Sequence, residues 1–180
     1  MEFDFTLKFQ LPGTDYDSDE MVGKLMAAGC DDALIGIGVP GRLALNFIRE
    51  AVSADEAMLS ALADVKKAIP AANLIEALPD LVGLTDVADL LGVSRQYIRK
   101  VQMTHSATFP AAVHEGNPSL WHLAHLLDWF KGKGLYEHAC KTSFEISRVA
   151  MEINITKETK YLAEIKRSTR SDTKLEKLVA

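Results

Sequence analysis

The sequence predicts an α+β protein in which a βαββαβ sandwich precedes a helical region and a long C-terminal helix. Two observations carry this prediction. Within residues 1–79, the spacing of apolar side chains changes repeatedly between the period of two that strands show and the period of about 3.6 that helices show. After residue 84 the helical pattern dominates, first in short segments over 84–134 and then in one long segment over 135–168. Residues 169–180 are expected to form a flexible tail.

The composition is that of a globular protein, since 48% of the 180 residues are apolar and 25% are charged. The chain begins without the basic segment and apolar core of a signal peptide, and no apolar run reaches about 18 residues. The two cysteines, Cys30 and Cys140, form no paired cluster. We therefore expect a cytoplasmic protein with reduced thiols, no membrane contact, and neither a metal nor another cofactor.

The charge is distributed unevenly along the chain. Residues 1–80 contain 6 Lys and Arg against 14 Asp and Glu, a balance of −8. Residues 81–180 contain 14 Lys and Arg against 11 Asp and Glu, a balance of +3. The sequence therefore predicts an acidic half attached to a half that can bind phosphate groups, a division that the total of −5 hides.

The first predicted elements are a strand and a helix. The strand is "FDFTLKFQL", which alternates apolar and polar side chains as a half-buried antiparallel strand does. The helix has Ser18 as its expected N-cap and acidic residues in its first turn. Its expected buried stripe is Val22, Leu25, Met26 and Gly29.

A hairpin is expected next, from "ALIGIGV" and "RLALNFIRE" on either side of a Pro40-Gly41 turn, with Leu43, Leu45 and Phe47 buried. The capping box "SADE" then starts a helix that ends before Pro70, and "NLIEAL" reads as the last strand. This β-α-β-β-α-β order, within fewer than 80 residues, predicts the ferredoxin-like arrangement. "LPDLVGL" follows as a linker.

The segment "TDVADLLGVSRQYIRKV" is typical of a helix-turn-helix. Ala88 is small where the two helices would cross closely, Gly92 can adopt a left-handed turn, and Ser94 can cap the second helix. Val93, Ile98 and Val101 are expected to face inward. A generic helical hairpin is the alternative interpretation.

Polar side chains cluster near the start of the second helix, the end that enters a major groove in this motif. Arg and Gln can make bidentate contacts with guanine and adenine edges, whereas Lys is suited to phosphates. Farther along, His114 and Asn117 can contact the DNA backbone or minor groove, or only shape a turn. Lys131 and Lys133 can contact phosphates or be solvated. The candidate DNA-binding residues are Ser94, Arg95, Gln96, Tyr97, Arg99, Lys100, His114 and Asn117.

"VADLLGVSRQYIRK", "FPAAVHEGNPSLW" and "LAHLLDWF" together resemble the winged helix-turn-helix of the MerR and AlpA/excisionase group of DNA-binding regulators. In that group a wing of FP-x-P type ends in a Trp, and a second Trp follows on the next helix. The positions that match are Phe109, Pro110, Trp121, Leu126 and Trp129, while Ala112 stands in place of the second wing proline. The resemblance covers about a quarter of the chain and implies DNA binding without indicating a target.

Other functional classes find little support in the sequence. The "GIGVPG" match to a dinucleotide-binding pattern precedes a strand-like segment, so no helix N-terminus would face a phosphate. A metal site is not expected, because Cys140 and His138 would lie on different helical faces and His122 with His125 lack a third ligand. No serine is paired with a base as a nucleophile requires, so an enzyme is not expected.

The sequence therefore favours a dimeric, sequence-specific bacterial transcriptional regulator that binds double-stranded DNA in the nucleoid. The long C-terminal helix is the first candidate for the dimer contact, through a seam of Phe144, Met151, Ile155, Leu162 and Ile165, and the N-terminal sheet is the second. If so, deletion of residues 137–180 should leave a folded monomer. The alternatives are an adaptor or antitoxin-like protein whose acidic N-terminal module binds a partner protein, and a small-molecule sensor.

Overall fold

The computed structural model describes residues 1–14, 16–135 and 141–169 of the chain. Over these residues it is an α+β structure with six helices and a four-stranded antiparallel sheet. No helix in this part of the chain is long and apolar enough to span a membrane. The predictions for residues 170–180, for a helix start at Glu137, and for His138 and Cys140 lie outside the described residues.

The N-terminal module contains six elements in the predicted order. These are β1 (Glu2–Gln10), α1 (Ser18–Ala28), β2 (Ala33–Gly36), β3 (Arg42–Glu50), α2 (Ala54–Ala68) and β4 (Asn73–Leu78). The strands form one sheet in the order β2-β3-β1-β4, and every neighbouring pair is antiparallel. The two central strands are therefore the long ones, β1 and β3, and the edges are β2 and β4.

One face of this sheet forms the main core. The alternation in β1 buries Phe3, Phe5, Leu7 and Phe9, and Phe5 stacks on Phe47 of β3 with 5.2 Å between ring centroids. This confirms the predicted inward face of both strands. The residues of β3 that complete the face, Leu43 and Leu45, are also buried as predicted.

The predictions for the helix ends were right for α2 and wrong in detail for α1. In α2 the Ser53 hydroxyl accepts from the Glu56 amide at 3.2 Å, and the Glu56 carboxylate accepts from the Val52 amide at 3.0 Å. In α1 the N-cap is Asp17 rather than Ser18, because the Asp17 carboxylate can accept from two amides of the first turn. The helix buries Met21 and Leu25, whereas Met26 is 47% exposed.

The buried side chain of Arg49 on β3 connects the segment after α1 with α2 through hydrogen bonds. Arg49 donates to both carboxylate oxygens of Asp32, at 2.7 and 2.9 Å, and to Asp64 at 2.9 Å. It also donates to the Gly29 carbonyl and the Ser60 hydroxyl. The hydrogen bond to Asp32 is the main cause that raises the pKa of the Arg49 guanidinium, which therefore stays charged. The acids of "CDD" thus include a partner of this buried cation.

Cys30 lies beside this cluster and is fully buried. Burial raises the pKa of its thiol to about 11. The thiol is therefore protonated near neutral pH, and Cys30 is a free cysteine, as the expectation of a reduced thiol requires.

The second module follows β4. Its elements are β5 (Leu81–Val82), α3 (Leu84–Leu90), α4 (Arg95–Thr104), β6 (Trp121–His122) and α5 (Leu123–Gly132). The expected linker "LPDLVGL" is not free chain, because Leu81 and Val82 pair with His122 and Trp121 in a short antiparallel ladder. The linker sequence alone could not predict this strand, because its pairing partners lie about forty residues farther along the chain.

The last helix, α6 (Lys141–Thr169), returns to the N-terminal module. Ile146, Val149 and Ala150 are buried in the same cluster as the inner face of β1. Residues 1–79 therefore do not complete their own core, and deletion of residues 137–180 would open it. This packing argues against the expectation that the deletion leaves a folded monomer. Within the predicted seam, Phe144 and Met151 are half-buried, whereas Ile155, Leu162 and Ile165 are exposed.

Asp80 joins the two modules and α6. Its buried carboxylate forms a hydrogen bond with Nδ1 of His122 at 2.6 Å and accepts another from the side-chain carboxamide of Asn154 at 2.8 Å. Its backbone carbonyl accepts from the Leu123 amide at 2.7 Å. A buried carboxylate without partners would be costly, so these contacts favour one placement of α5 beside α6.

Candidate nucleic-acid interface

The connection between α3 and α4 has the tight geometry that the sequence predicted. Gly92 has a φ of 66°, a value that favours glycine, and the Val93 amide donates to the Ala88 carbonyl at 2.9 Å. Ala88 is buried where the helices meet. The Ser94 hydroxyl accepts from the Tyr97 amide at 3.2 Å and so caps α4.

The two faces of α4 differ sharply. Ile98 and Val101 are buried against the rest of the second module, and Val93 is partly buried, as predicted. The opposite face is exposed and basic, and in the part of the chain that the structure describes none of its cations forms an ion pair. The predicted contact residues that this face and its cap bring together are Ser94, Arg95, Gln96, Tyr97, Arg99 and Lys100.

The other predicted contacts lie on a hairpin between α4 and α5. His114 and Leu120 exchange backbone hydrogen bonds at 3.3 and 3.0 Å, and the loop between them is exposed. The His114 ring covers Gly116 so closely that a Cβ there would lie 2.1 Å from Nε2. This contact supports the turn-shaping alternative for His114, whereas Asn117 at the tip is exposed.

An aromatic cluster supports this hairpin and helix. The Phe109 ring lies 5.0 Å from that of Trp129 and 6.3 Å from that of Trp121. Trp121 is buried, and its Nε1 donates to the Pro110 carbonyl at 3.0 Å. Both tryptophans therefore pack in the hydrophobic core of the second module and are not free to stack on bases.

The remaining cations of the second module lie near aromatic rings. Lys131 Nζ is 5.6 Å from the centroid of the Phe144 ring, and Lys133 Nζ is 5.7 Å from that of the Trp129 ring. Both lysines are nevertheless exposed. In the described part of this module, the cationic side chains that have neither an aromatic ring nor a carboxylate nearby are therefore those of α4.

His122 has a role that the sequence did not reveal. It stands at the N-cap of α5, but its side chain makes no cap hydrogen bond and binds Asp80 instead. The His125 ring lies 5.3 Å from the His122 ring. Among the described residues there is no group of three or more His, Cys, Asp or Glu that could hold a metal ion.

Comparisons of the chain with protein-family models, with curated proteins and with solved structures found no match.

Proposed function

We propose that the protein is a sequence-specific transcriptional regulator that binds double-stranded DNA as a dimer, and that it acts as a repressor in the bacterial nucleoid. The observation that carries the proposal is the exposed face of α4, where two arginines, a glutamine and a lysine surround a capped helix N-terminus. This face has no ion-pair partner among the described residues. Its role is binding, not catalysis.

The contacts follow from the chemistry of each side chain. Arg95, Gln96 and Arg99 can hydrogen-bond guanine or adenine edges in a major groove. Ser94, Tyr97 and Lys100 fit phosphate oxygens, which set the register of the helix on the duplex. Electrostatic attraction of this kind weakens with salt, because phosphate binding releases counterions.

The arrangement of the second module supports a winged helix-turn-helix. Two helices joined by a tight glycine turn are followed by a hairpin and a further helix, and one apolar core holds them together. The strand order of the N-terminal module supports the ferredoxin-like arrangement, in which β1 and β3 are central. Its acidic composition makes it unsuited to phosphates, so DNA would contact the second module alone.

Dimerisation is part of the proposal because one small module offers only about 600–1,000 Å² to DNA. The second half of α6 is the candidate contact. Ile155 and Leu162 are each 50% exposed and lie two helical turns apart, with Ile165 one turn farther on. They prolong the stripe that Phe144 and Met151 begin against the rest of the chain.

The proposal can be tested by selecting DNA sequences from a random duplex library with the full chain, followed by fluorescence anisotropy on the selected site and a scrambled duplex. A preference of about a thousandfold or more, with affinity that falls as salt rises, would support a specific regulator. Failure to enrich any sequence, together with equal weak binding to both duplexes, would refute it.

Substitutions in α4 should separate base contacts from phosphate contacts. Arg95→Ala and Arg99→Ala should each cost about 1–3 kcal/mol on the selected site and relax the preference at one base pair. Lys100→Ala should weaken all duplexes alike and reduce the salt dependence. Lys160→Ala, which removes an exposed cation of α6, serves as the control with unchanged affinity. Equal losses on selected and scrambled DNA for both arginine variants would contradict their assignment as base contacts.

A further inference from the structure

The sheet of the N-terminal module has β4 as one of its two edges. An edge strand presents unpaired N–H and C=O groups that can pair with another chain. The sequence of β4, "NLIEAL", makes that pairing a particular hazard, because it holds four aliphatic residues, a single charge at Glu76 and no proline. Short segments of this composition are the ones that add to one another edge to edge.

The outer edge of β4 is occupied by side chains of α6. Asn154 accepts from the Ala77 amide at 2.8 Å and donates to the Ala77 carbonyl at 2.9 Å. The Lys157 ammonium donates to the Ile75 carbonyl. The carboxamide of Asn154 thus makes the pair of hydrogen bonds that a backbone residue of a neighbouring antiparallel strand would make.

The position of Asn154 within α6 is unusual for its residue type. Asparagine is a poor helix former, yet Asn154 lies in the middle of α6 and is partly buried. Burial of a carboxamide is costly unless it is hydrogen-bonded. Asn154 meets that requirement with two bonds to Ala77 and one to Asp80. Lys157 lies one turn later and points its ammonium at the same strand.

The opposite edge is protected in a different way. β2 is only four residues long and is soon followed by Pro40. Short edges and nearby prolines limit strand addition without any cover. β4 is longer, with six residues, and although Pro79 follows it directly, it is the edge on which α6 lies.

From this geometry we propose that Asn154 and Lys157 form an edge guard, which keeps β4 from pairing with a second copy of this chain. The outer edge of β4 can therefore accept another strand only when α6 moves away from it. The proposal does not rest on DNA binding, since the strand that both residues contact belongs to the N-terminal module and not to α4.

The test uses the full chain with the double substitution Asn154→Ala and Lys157→Ala. The matched control is Thr156→Ala with Lys160→Ala, which changes a small polar residue and a lysine on exposed positions of the same helix. Sedimentation velocity over a concentration series and residue-resolved hydrogen exchange are measured for both. In the guard variant we expect exchange of the Ala77 amide to accelerate about tenfold or more at low concentration, because it loses its acceptor.

As concentration rises, the guard variant should form species larger than those of the wild type, and the Ala77 amide should regain protection. The control should match the wild type. A guard variant with protected β1–β3 amides and wild-type sedimentation at every concentration would overturn the proposal. Self-association that leaves the Ala77 amide unprotected would also overturn it, because the contact would then lie elsewhere.

A second variant covers the case in which the double substitution unfolds the module. Lys157→Met keeps the aliphatic stem and frees only the Ile75 carbonyl. We expect weaker but measurable growth of the larger species at the highest concentrations, with the Ala77 amide still protected by Asn154 in the unassociated chain. Sedimentation identical to that of the wild type, with the module folded, would again count against the guard.

Discussion

Replacement of Arg49 by methionine is expected to lower the free energy of unfolding by about 3 kcal/mol. Methionine keeps most of the length of the side chain but removes all of its hydrogen bonds. Asp32 and Asp64 would then face each other without the cation that now joins them at 2.7 and 2.9 Å. The loss lies at the low end for a buried ion pair, because the side chains of these carboxylates keep exposures of 28% and 27%.

Urea denaturation followed by circular dichroism measures this effect. Arg42→Met is the matched control, because Arg42 belongs to the same strand but is exposed, and its replacement should change stability by about 0.5 kcal/mol or less. Arg49→Lys should recover only part of the loss, since an ammonium cannot bind both oxygens of Asp32 in the manner of a guanidinium. Equal stability of the Arg49→Met and Arg42→Met variants would show that the cluster contributes nothing measurable.

The Arg49 cluster also shows how far the sequence could be used to predict the N-terminal module. The alternation in "RLALNFIRE" that correctly buried Leu43, Leu45 and Phe47 places Arg49 on the same inward face. An inward arginine requires carboxylates nearby, and "CDD" was available to supply one. Strand alternation is a local property and was predicted well. The choice of Asp32 and Asp64 as partners depends on how α1 and α2 approach β3, which no local pattern encodes.

The candidate interface was predicted more completely, because its geometry is local. A glycine in a left-handed turn, a serine cap and the period of one short helix were enough to place Arg95, Arg99 and Lys100 on an exposed face. His122 was missed because its partner, Asp80, lies about forty residues earlier in a segment that read as a linker.

The periodicity of α6 was informative but incomplete. It identified the stripe from Phe144 to Ile165, yet the first half of the helix also buries Ile146 and Val149 on a second face. A helix that packs on two neighbours has two apolar faces, and a search for one seam finds only one of them. The contact with β1 and β4 spans most of the chain, so only tertiary packing could reveal it.

Two truncations should therefore behave in opposite ways. Removal of α6 from Lys141 onward should destabilise the N-terminal module by about 3–6 kcal/mol, because Ile146 and Val149 each contribute about 1.5–3 kcal/mol by burial. Against a typical total of about 5–15 kcal/mol, this loss removes a large share of the stability and should make the module prone to unfolding and aggregation. Removal of the residues after Thr159 should leave the core intact, since Asn154 and Lys157 keep their contacts with β4.

The shorter truncation also separates folding from dimerisation. Without Leu162 and Ile165 the exposed stripe loses two of its three aliphatic residues, so the variant should sediment as a monomer while its thermal unfolding stays close to that of the full chain. Its affinity for the selected DNA should fall by tenfold or more, because one module then binds without its partner. A Leu162→Lys substitution in the full chain should reproduce the monomer without any deletion. If both variants remain dimeric and bind DNA as the full chain does, the dimer contact lies outside α6, and the N-terminal sheet, the second candidate from the sequence, becomes the next surface to test.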